Sequence, residues 1–287
     1  MPLEYSHVDV FAQRAFSGNS LPVFADSRGL SGPQMLEITK ELRHFEAIFL
    51  EPTNDRNIVR ARVFDLFGEL AFAGHPIIGA AAVLHRSSGH AGHRDWVLEL
   101  PSRAVTIRTE RTAAGYFGML DQGRPEFLGR VTGEEWIARS FALNPCDLRA
   151  ELPLEVVSTG LRYLIVPVVH GALDRARLTR DITADLRSVG AEYAVLLDES
   201  MREIRHWNND GVIEDVATGS AAGTIGAYRL RHGLAAAGEV LILNQGRYTG
   251  RPSVLRVQAE GTRERVERVT VGGDVAFVGE GVLGARP

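Results

Sequence analysis

The sequence predicts an α+β protein of two similar lobes. Three observations carry that expectation. The chain has 287 residues, enough for two domains of ~140 residues each. Short apolar, strand-like runs outnumber helical patterns along it. Two glycine-containing turns, at His75 and at Ser220, each lead into a helix of small residues, and they lie about half the chain apart. That repetition is read as an internal structural duplication. The polar Gly/Pro stretch Asp121-Gln122-Gly123-Arg124-Pro125 marks the expected boundary, giving lobes 1–120 and 121–287, with the final strand packed on the first lobe.

The first lobe opens with the alternation His7-Val8-Asp9-Val10-Phe11, a half-buried strand, then a turn at Ser17-Gly18-Asn19 and a second apolar run, Leu21-Pro22-Val23-Phe24. Ser31-Gly32-Pro33-Gln34 reads as a helix start in which Ser31 is the N-cap and Gln34 closes a capping box. Met35, Ile38 and Leu42 then share one face of that helix. Glu46 precedes a short apolar strand, Ala47-Ile48-Phe49-Leu50, and another strand runs through Val59, Ala61 and Val63. Phe72-Ala73-Gly74-His75-Pro76 is a tight turn feeding a buried helix that includes Ala80, Ala81 and Ala82.

The second lobe repeats the plan. Thr132-Gly133-Glu134-Glu135 reads as a capping box with Thr132 at the N-cap, leading to Trp136, Ile137 and Phe141. Strands are expected at Leu164–Val169 and Tyr193–Leu197. Asp215-Val216-Ala217-Thr218-Gly219-Ser220 then enters the helix Ala221-Ala222-Gly223. Apolar runs at Val240–Leu243, Val254–Val257 and Val269–Val271 complete the chain as strands.

Composition excludes several function classes. With 32 basic and 36 acidic residues the net charge is -4, which offers nothing to nucleic acid or to an anionic membrane. No apolar run approaches the ~18–20 residues of a membrane span. The start, Met1-Pro2-Leu3-Glu4-Tyr5, lacks the pattern of a signal peptide, so a cytoplasmic protein is expected. The single cysteine, Cys146, excludes an internal disulfide, a multi-cysteine zinc site and a two-cysteine acid/base pair. The single lysine, Lys40, lies in an ordinary helical stretch, which leaves no phosphate-binding loop and argues against Schiff-base chemistry. His85, His90 and His93 lack accompanying ligands for a metal, and neither a nucleophile elbow nor a dinucleotide fingerprint is present.

A helix that begins just after a glycine turn presents free backbone N–H groups and the positive end of its dipole, which attract a carboxylate or an oxyanion. Two such ends, one per lobe, would hold a small acidic substrate without any lysine. The titratable groups beside them are His75, Asp215 and Glu46. Glu46 is placed to point inward, and a carboxylic acid in an apolar pocket is suited to carrying protons near neutral pH.

These residues resemble the PhzF-like family, named for the phenazine-biosynthesis isomerase of trans-2,3-dihydro-3-hydroxyanthranilate. Ser17-Gly18-Asn19, Glu46 before a short strand, Phe72-Ala73-Gly74-His75-Pro76, Glu214-Asp215 before Ala217-Thr218-Gly219-Ser220-Ala221-Ala222-Gly223, and Gly250-Arg251-Pro252-Ser253 carry the resemblance, which covers essentially the whole chain. It implies two lobes, each a β-barrel-like sheet around a central helix, as in diaminopimelate epimerase. It also implies a cofactor-independent isomerase that shifts a proton and a double bond in a small unsaturated amino or hydroxy carboxylic acid of secondary metabolism, and a homodimer. By position, Glu46 is the proton-carrying glutamate and His75 and Asp215 are the further acid/base groups. Gly74, Gly219, Ser220 and Asn19 belong to the substrate-binding set. The cysteine positions of the epimerase relatives fall on Ala73 and Thr218, so two-thiol racemisation is disfavoured. The chain departs from the family at Phe45, Asp65-Leu66 and Val216. Phe45 and Asp65 are therefore expected in the substrate pocket, with a reshaped substrate preference. An isomerase of alkylproline-type acids in a lincomycin-type pathway and a non-catalytic acid-binding member are the alternatives.

Overall fold

A computed structural model describes residues 2–55, 57–113 and 115–287. Contacts divide the chain into two units, Met1–Asp121 with Gly272–Pro287, and Gln122–Val271. Strands dominate both, with few helices.

The first unit contains β1 (Leu3–Val10), β2 (Asn19–Phe24), α1 (Gly32–Leu42), β3 (Glu46–Pro52), β4 (Ile58–Asp65), β5 (Glu69–Leu70), α2 (Gly74–Ser88), β6 (His93–Glu99), β7 (Ala104–Thr112) and β8 (Gly115–Gly123). Its strands lie in the order β1-β2-β3-β4-β6-β7-β8, and the last strand of the chain, Val266–Leu283, pairs with both β8 and β1. The sheet thus closes on itself, which removes its free edges. α2 runs inside, touching β1, β2, β3, β6 and β7. Every residue from Gly74 to Val83 is buried, as a helix surrounded by sheet requires. Small residues let it fit: a Cβ on Gly79 would stand 2.5 Å from Leu21 Cδ2 and 3.0 Å from Val10 Cγ2. α1 packs outside, where Met35 and Ile38 join Leu3, Phe24, Ala47, Phe49 and Phe64 in a core, each full burial of a large side chain contributing roughly 1.5–3 kcal/mol. The expected cap at its start is present, with the Ser31 N–H donating to Gln34 Oε1 at 2.9 Å.

The second unit contains β9 (Glu126–Arg130), α3 (Glu134–Ser140), β10 (Glu155–Ser158), β11 (Arg162–Val168), α4 (Ala172–Arg175), α5 (Thr183–Ser188), β12 (Tyr193–Asp198), β13 (Glu203–His206), α6 (Gly219–Arg231), β14 (Val240–Gln245), β15 (Ser253–Gly261) and the first part of β16 (Val266–Leu283). Strand order runs β16-β15-β14-β13-β12-β11-β10-β9, with parallel pairs β11/β12 and β13/β14. α6 is the counterpart of α2. It touches β10, β11 and β15, and is buried from Gly219 to Leu230. A Cβ on Gly226 would lie 2.4 Å from Val257 Cγ1, the same close approach of helix to sheet. An outer core joins Ile137, Phe141, Leu173, Leu186 and Trp207, so this unit too has a central helix and a second, peripheral hydrophobic layer.

Thr132 does not start α3. Gly133 is the N-cap, at φ 105°, a left-handed backbone that glycine alone adopts without strain, and this moves the start one residue on. No helix among the described residues is long and apolar enough to cross a membrane.

Candidate active site

In the first unit the chain brings four elements to one end of the sheet. Asn19 opens β2, Glu46 opens β3, Asp65 closes β4, and Gly74-His75 begin α2. Glu46 and Asp65 are cross-strand partners. β3 is buried along its whole apolar run, and that burial carries Glu46 inward with it: Glu46 is 8% exposed and His75 5%. His75 Nδ1 lies 3.5 Å from Glu46 Oε2, and the Asn19 Nδ2 amide lies 3.5 Å from the same ring nitrogen. One nitrogen therefore faces a carboxylate, an acceptor, and an amide N–H, a donor. Nδ1–H can donate to the Glu46 carboxylate, or a bare Nδ1 can accept from Asn19 or from a protonated Glu46.

The N-cap of α2 is Ala73, in an extended conformation and unable to cap through its side chain. The positive end of the helix dipole favours negative charge beside His75. Phe45 is half-buried next to Glu46. Asp65 acts locally. Its Oδ1 accepts the N–H groups of Phe67 and Gly68, both at 2.7 Å, and so fixes the turn between β4 and β5.

In the second unit the equivalent position is held by a dense set of hydrogen bonds. Thr218 is the N-cap of α6, yet its hydroxyl turns away from the helix and donates to Asp215 Oδ2 at 2.6 Å. The Ala217 N–H donates to Asp215 Oδ1 at 3.3 Å. Gln245, from β14, clasps the turn. Its Nε2 donates to the Asp215 carbonyl and to Thr218 Oγ1, each at 2.9 Å, while its Oε1 accepts from the Thr218 N–H at 2.8 Å. Gln122 Nε2 donates to the Gly219 carbonyl at 2.9 Å, and Gln122 Oε1 accepts from the Thr159 hydroxyl at 2.7 Å. Tyr163 and Ser220 share a hydroxyl–hydroxyl bond of 2.8 Å. His206 packs edge-on against Tyr163 and Tyr193, with Nδ1 on the Ala194 carbonyl at 2.8 Å. Burial pushes the His206 imidazole below its usual range, against the pull of the Asp215 charge, so the ring is neutral.

Glu214 and Asp215 are adjacent but differ in role. The Glu214 carboxylate is engaged by Arg205 through a two-pronged ion pair of 2.8 and 2.6 Å. Arg205 itself lies over the Trp207 and Tyr248 rings and binds two backbone carbonyls. Glu214 is therefore an anchor, whereas Asp215 is buried and braces the α6 turn through Thr218 and Ala217.

Tyr163, Thr159, Gln122, His206 and Gln245 are not among the residues that the sequence nominates. Apart from His206, whose carbonyl accepts the Asp215 N–H, they sit on strands or loops far from the turn in sequence, and no spacing links any of them to it. Among the described residues no three His, Cys, Asp or Glu side chains converge as a metal site requires. His85 instead lies buried against the Thr109 hydroxyl at 2.9 Å.

Comparison with known proteins bears on this arrangement. Residues 8–281 match the family model described as phenazine biosynthesis-like protein, PhzC-PhzF. The chain is 30% identical to a trans-2,3-dihydro-3-hydroxyanthranilate isomerase of Pseudomonas chlororaphis, over 97% of this chain and 98% of that protein. It is 31% identical to an uncharacterized isomerase of Escherichia coli O157:H7, over 93% of each. A Pseudomonas aeruginosa structure described as a predicted epimerase is 44% identical and superposes with a TM-score of 0.92, covering 99% of both chains. A hydroxyproline epimerase of Agrobacterium vitis, 14% identical with a TM-score of 0.64 over 98% of this chain and 92% of its own, shares the fold. The protein is an isomerase with the two-lobed α+β fold of these epimerases, and it belongs to the PhzC-PhzF family of phenazine biosynthesis-like proteins.

Proposed function

We propose that the protein moves a proton and a double bond within a small unsaturated carboxylic acid bearing an amino or hydroxy group, without a cofactor. The observation that carries this reading is the buried pair of Glu46 and His75, 3.5 Å apart, at the uncapped start of α2. The Glu46 carboxylate takes a proton from one carbon, and the electron pair of that C–H bond shifts along the conjugated system. The protonated Glu46 then returns a proton to a second carbon, leaving the enzyme unchanged. His75, able to donate to or accept from Glu46, holds the carboxyl group in place in both protonation states. Asn19 keeps the imidazole oriented.

The family resemblance supports a role for Asp215 as a further acid/base group and for Gly74, Gly219 and Ser220 in substrate binding. Phe45, next to Glu46, shapes the pocket, and Asp65 fixes the turn that follows β4. The absence of thiols at Ala73 and Thr218, the N-caps of α2 and α6, supports carboxylate-based rather than two-thiol proton transfer. The family resemblance supports a cytoplasmic homodimer acting in secondary metabolism such as antibiotic biosynthesis.

The test is turnover in heavy water. The protein is offered trans-2,3-dihydro-3-hydroxyanthranilate and, separately, an alkylproline-type unsaturated acid, and the products are read by NMR. A shifted double bond with deuterium at the newly saturated carbon, in one of the two, is the expected result. No isomerisation and no deuterium in either would contradict the reading and favour an acid-binding member without turnover.

A further inference from the structure

In the second unit β14 is paired along only part of one edge. On one side its whole length pairs antiparallel with β15, from Val240 opposite Gln258 to Gln245 opposite Ser253. On the other side β13 meets it at Glu203 opposite Asn244, where the Asn244 N–H donates to the Arg202 carbonyl at 2.8 Å. β13 starts there and runs parallel to β14, so Val240–Leu243 lie before its beginning. Among the described residues no strand pairs with that stretch from this side.

The direction of the backbone groups follows from Asn244. They alternate from one edge of a strand to the other. The Asn244 N–H points to the β13 side, so the N–H and C=O groups of Val240 and Ile242 point into the open edge, while those of Leu241 and Leu243 serve the β15 ladder. Side chains alternate between the faces as well. Leu241 and Leu243 are buried, whereas Val240 is 51% and Ile242 38% exposed. An open, apolar edge of this kind is a template for another strand.

The outer edge of β9 shows how such an edge is normally blunted. β9 ends the strand order, its register with β10 skips Leu128 as a β-bulge, and the charged Glu126 and Arg130 flank it. Val240-Leu241-Ile242-Leu243 has an unbroken register with β15 and carries neither a charge nor a proline.

A second copy of the same strand satisfies this edge in one register. With the two strands antiparallel about Leu241, Val240 of each copy stands opposite Ile242 of the other. Those are the residues whose groups point outward, so each pair exchanges both backbone bonds, and opposite side chains share a face. A slip of one residue would set buried leucines opposite exposed side chains. Centring the pair on Ile242 would set Val240 against the groups of Asn244 that β13 already holds. The ends match too. Glu239 of one copy then stands opposite Leu243 of the other, one residue from Asn244 and beside the turn that carries Arg202. Glu239 and Arg202 are exposed, and among the described residues neither is in an ion pair.

We propose that β14 pairs with β14 of a second copy, antiparallel about Leu241, with Arg202 of each copy against Glu239 of the other. The inference rests on the homodimer reading given above and gives that dimer its interface. Strand addition of this kind draws its affinity from main-chain bonds, and the charges at the ends fix the register.

Analytical ultracentrifugation of the full chain over a dilution series tests this. One strand pair with its flanking turns is a small interface, so the wild-type protein is expected as a dimer that dissociates on dilution. Arg202→Glu sets like charges together at both ends and should weaken the dimer about tenfold, and Arg202→Glu with Glu239→Arg should restore it. Ile242→Lys, at an exposed position, puts charge at the centre and should leave a monomer with the wild-type circular dichroism spectrum. Should that variant fail to fold, the charge reversal and its rescue decide alone. A wild-type dimer that withstands Arg202→Glu or a folded Ile242→Lys overturns this interface and leaves the homodimer reading standing. A wild-type protein that is monomeric throughout overturns both.

Discussion

The starts of α2 and α6 share a plan and are held in opposite ways. Both follow a turn, both lack side-chain capping, and both enter a helix of small residues pressed onto a sheet. At α2 the groups are chargeable and loosely spaced, with Glu46 Oε2 and Asn19 Nδ2 each 3.5 Å from His75 Nδ1. At α6 they are mostly neutral and tightly bound, at 2.6–2.9 Å around Thr218, Gln245, Gln122, Tyr163 and Ser220. Short, mutually satisfied bonds fix a geometry. A pair with slack and a mobile proton can change state. That difference matches the roles proposed for them, proton transfer beside α2 and firm positioning beside α6.

Four changes would break or sharpen that contrast. Glu46→Asp has the largest expected effect. It withdraws the carboxylate by one methylene from a position that must be met within about an ångström, and turnover should fall about 10²-fold with little change in substrate affinity. A KM that rises while kcat holds would mean that Glu46 binds and does not carry protons. At the other turn, Gln245→Leu leaves the Thr218 N–H and the Asp215 carbonyl buried without this partner. Urea unfolding should report a loss of about 2–4 kcal/mol. The two central helices can be compared directly through Gly79→Ala and Gly226→Ala. A Cβ at position 79 meets Leu21, Val10 and Val8 at 3.2 Å or less, whereas at 226 it meets Val257 alone at such range. The first should cost roughly 2–3 kcal/mol and the second roughly 1–2, read by the same denaturation.

The smallest effect is the pH response. Burial holds His206 below its ordinary value of 6.5, so the folded protein keeps it neutral where the unfolded chain takes up a proton. Stability is then full above about pH 6.5 and falls as the pH drops below it, until the folded-state imidazole itself protonates. Buried His85 in the first unit acts with the same sign. His206→Asn should flatten part of the acid slope of unfolding free energy and leave the share of His85.

The repeat plan was legible because it is local. Glycine turns, capping residues and runs such as Ala47–Leu50 declare themselves within a few residues. The Ser31–Gln34 cap and the buried face of α1 follow from that spacing alone. Glu46 and His75 could be nominated by resemblance, but their approach depends on β3 and α2 meeting across the sheet, which no local pattern encodes. The clasp at Asp215 was illegible for the same reason: Gln245 and Tyr163 are ordinary strand residues until β14 and β11 are placed. Gly133, by contrast, is a local signal, and its left-handed backbone outweighs the Thr132 hydroxyl as a helix start.

Glu46→Gln in heavy water tests the central claim most directly, with trans-2,3-dihydro-3-hydroxyanthranilate and the alkylproline-type acid as substrates. The amide keeps the size of the side chain and removes its basicity. The account predicts that this variant still binds an acid the wild-type protein turns over, yet incorporates no deuterium at any of its carbons. Deuterium entering at the wild-type rate would show that some other group moves the proton, and would contradict it.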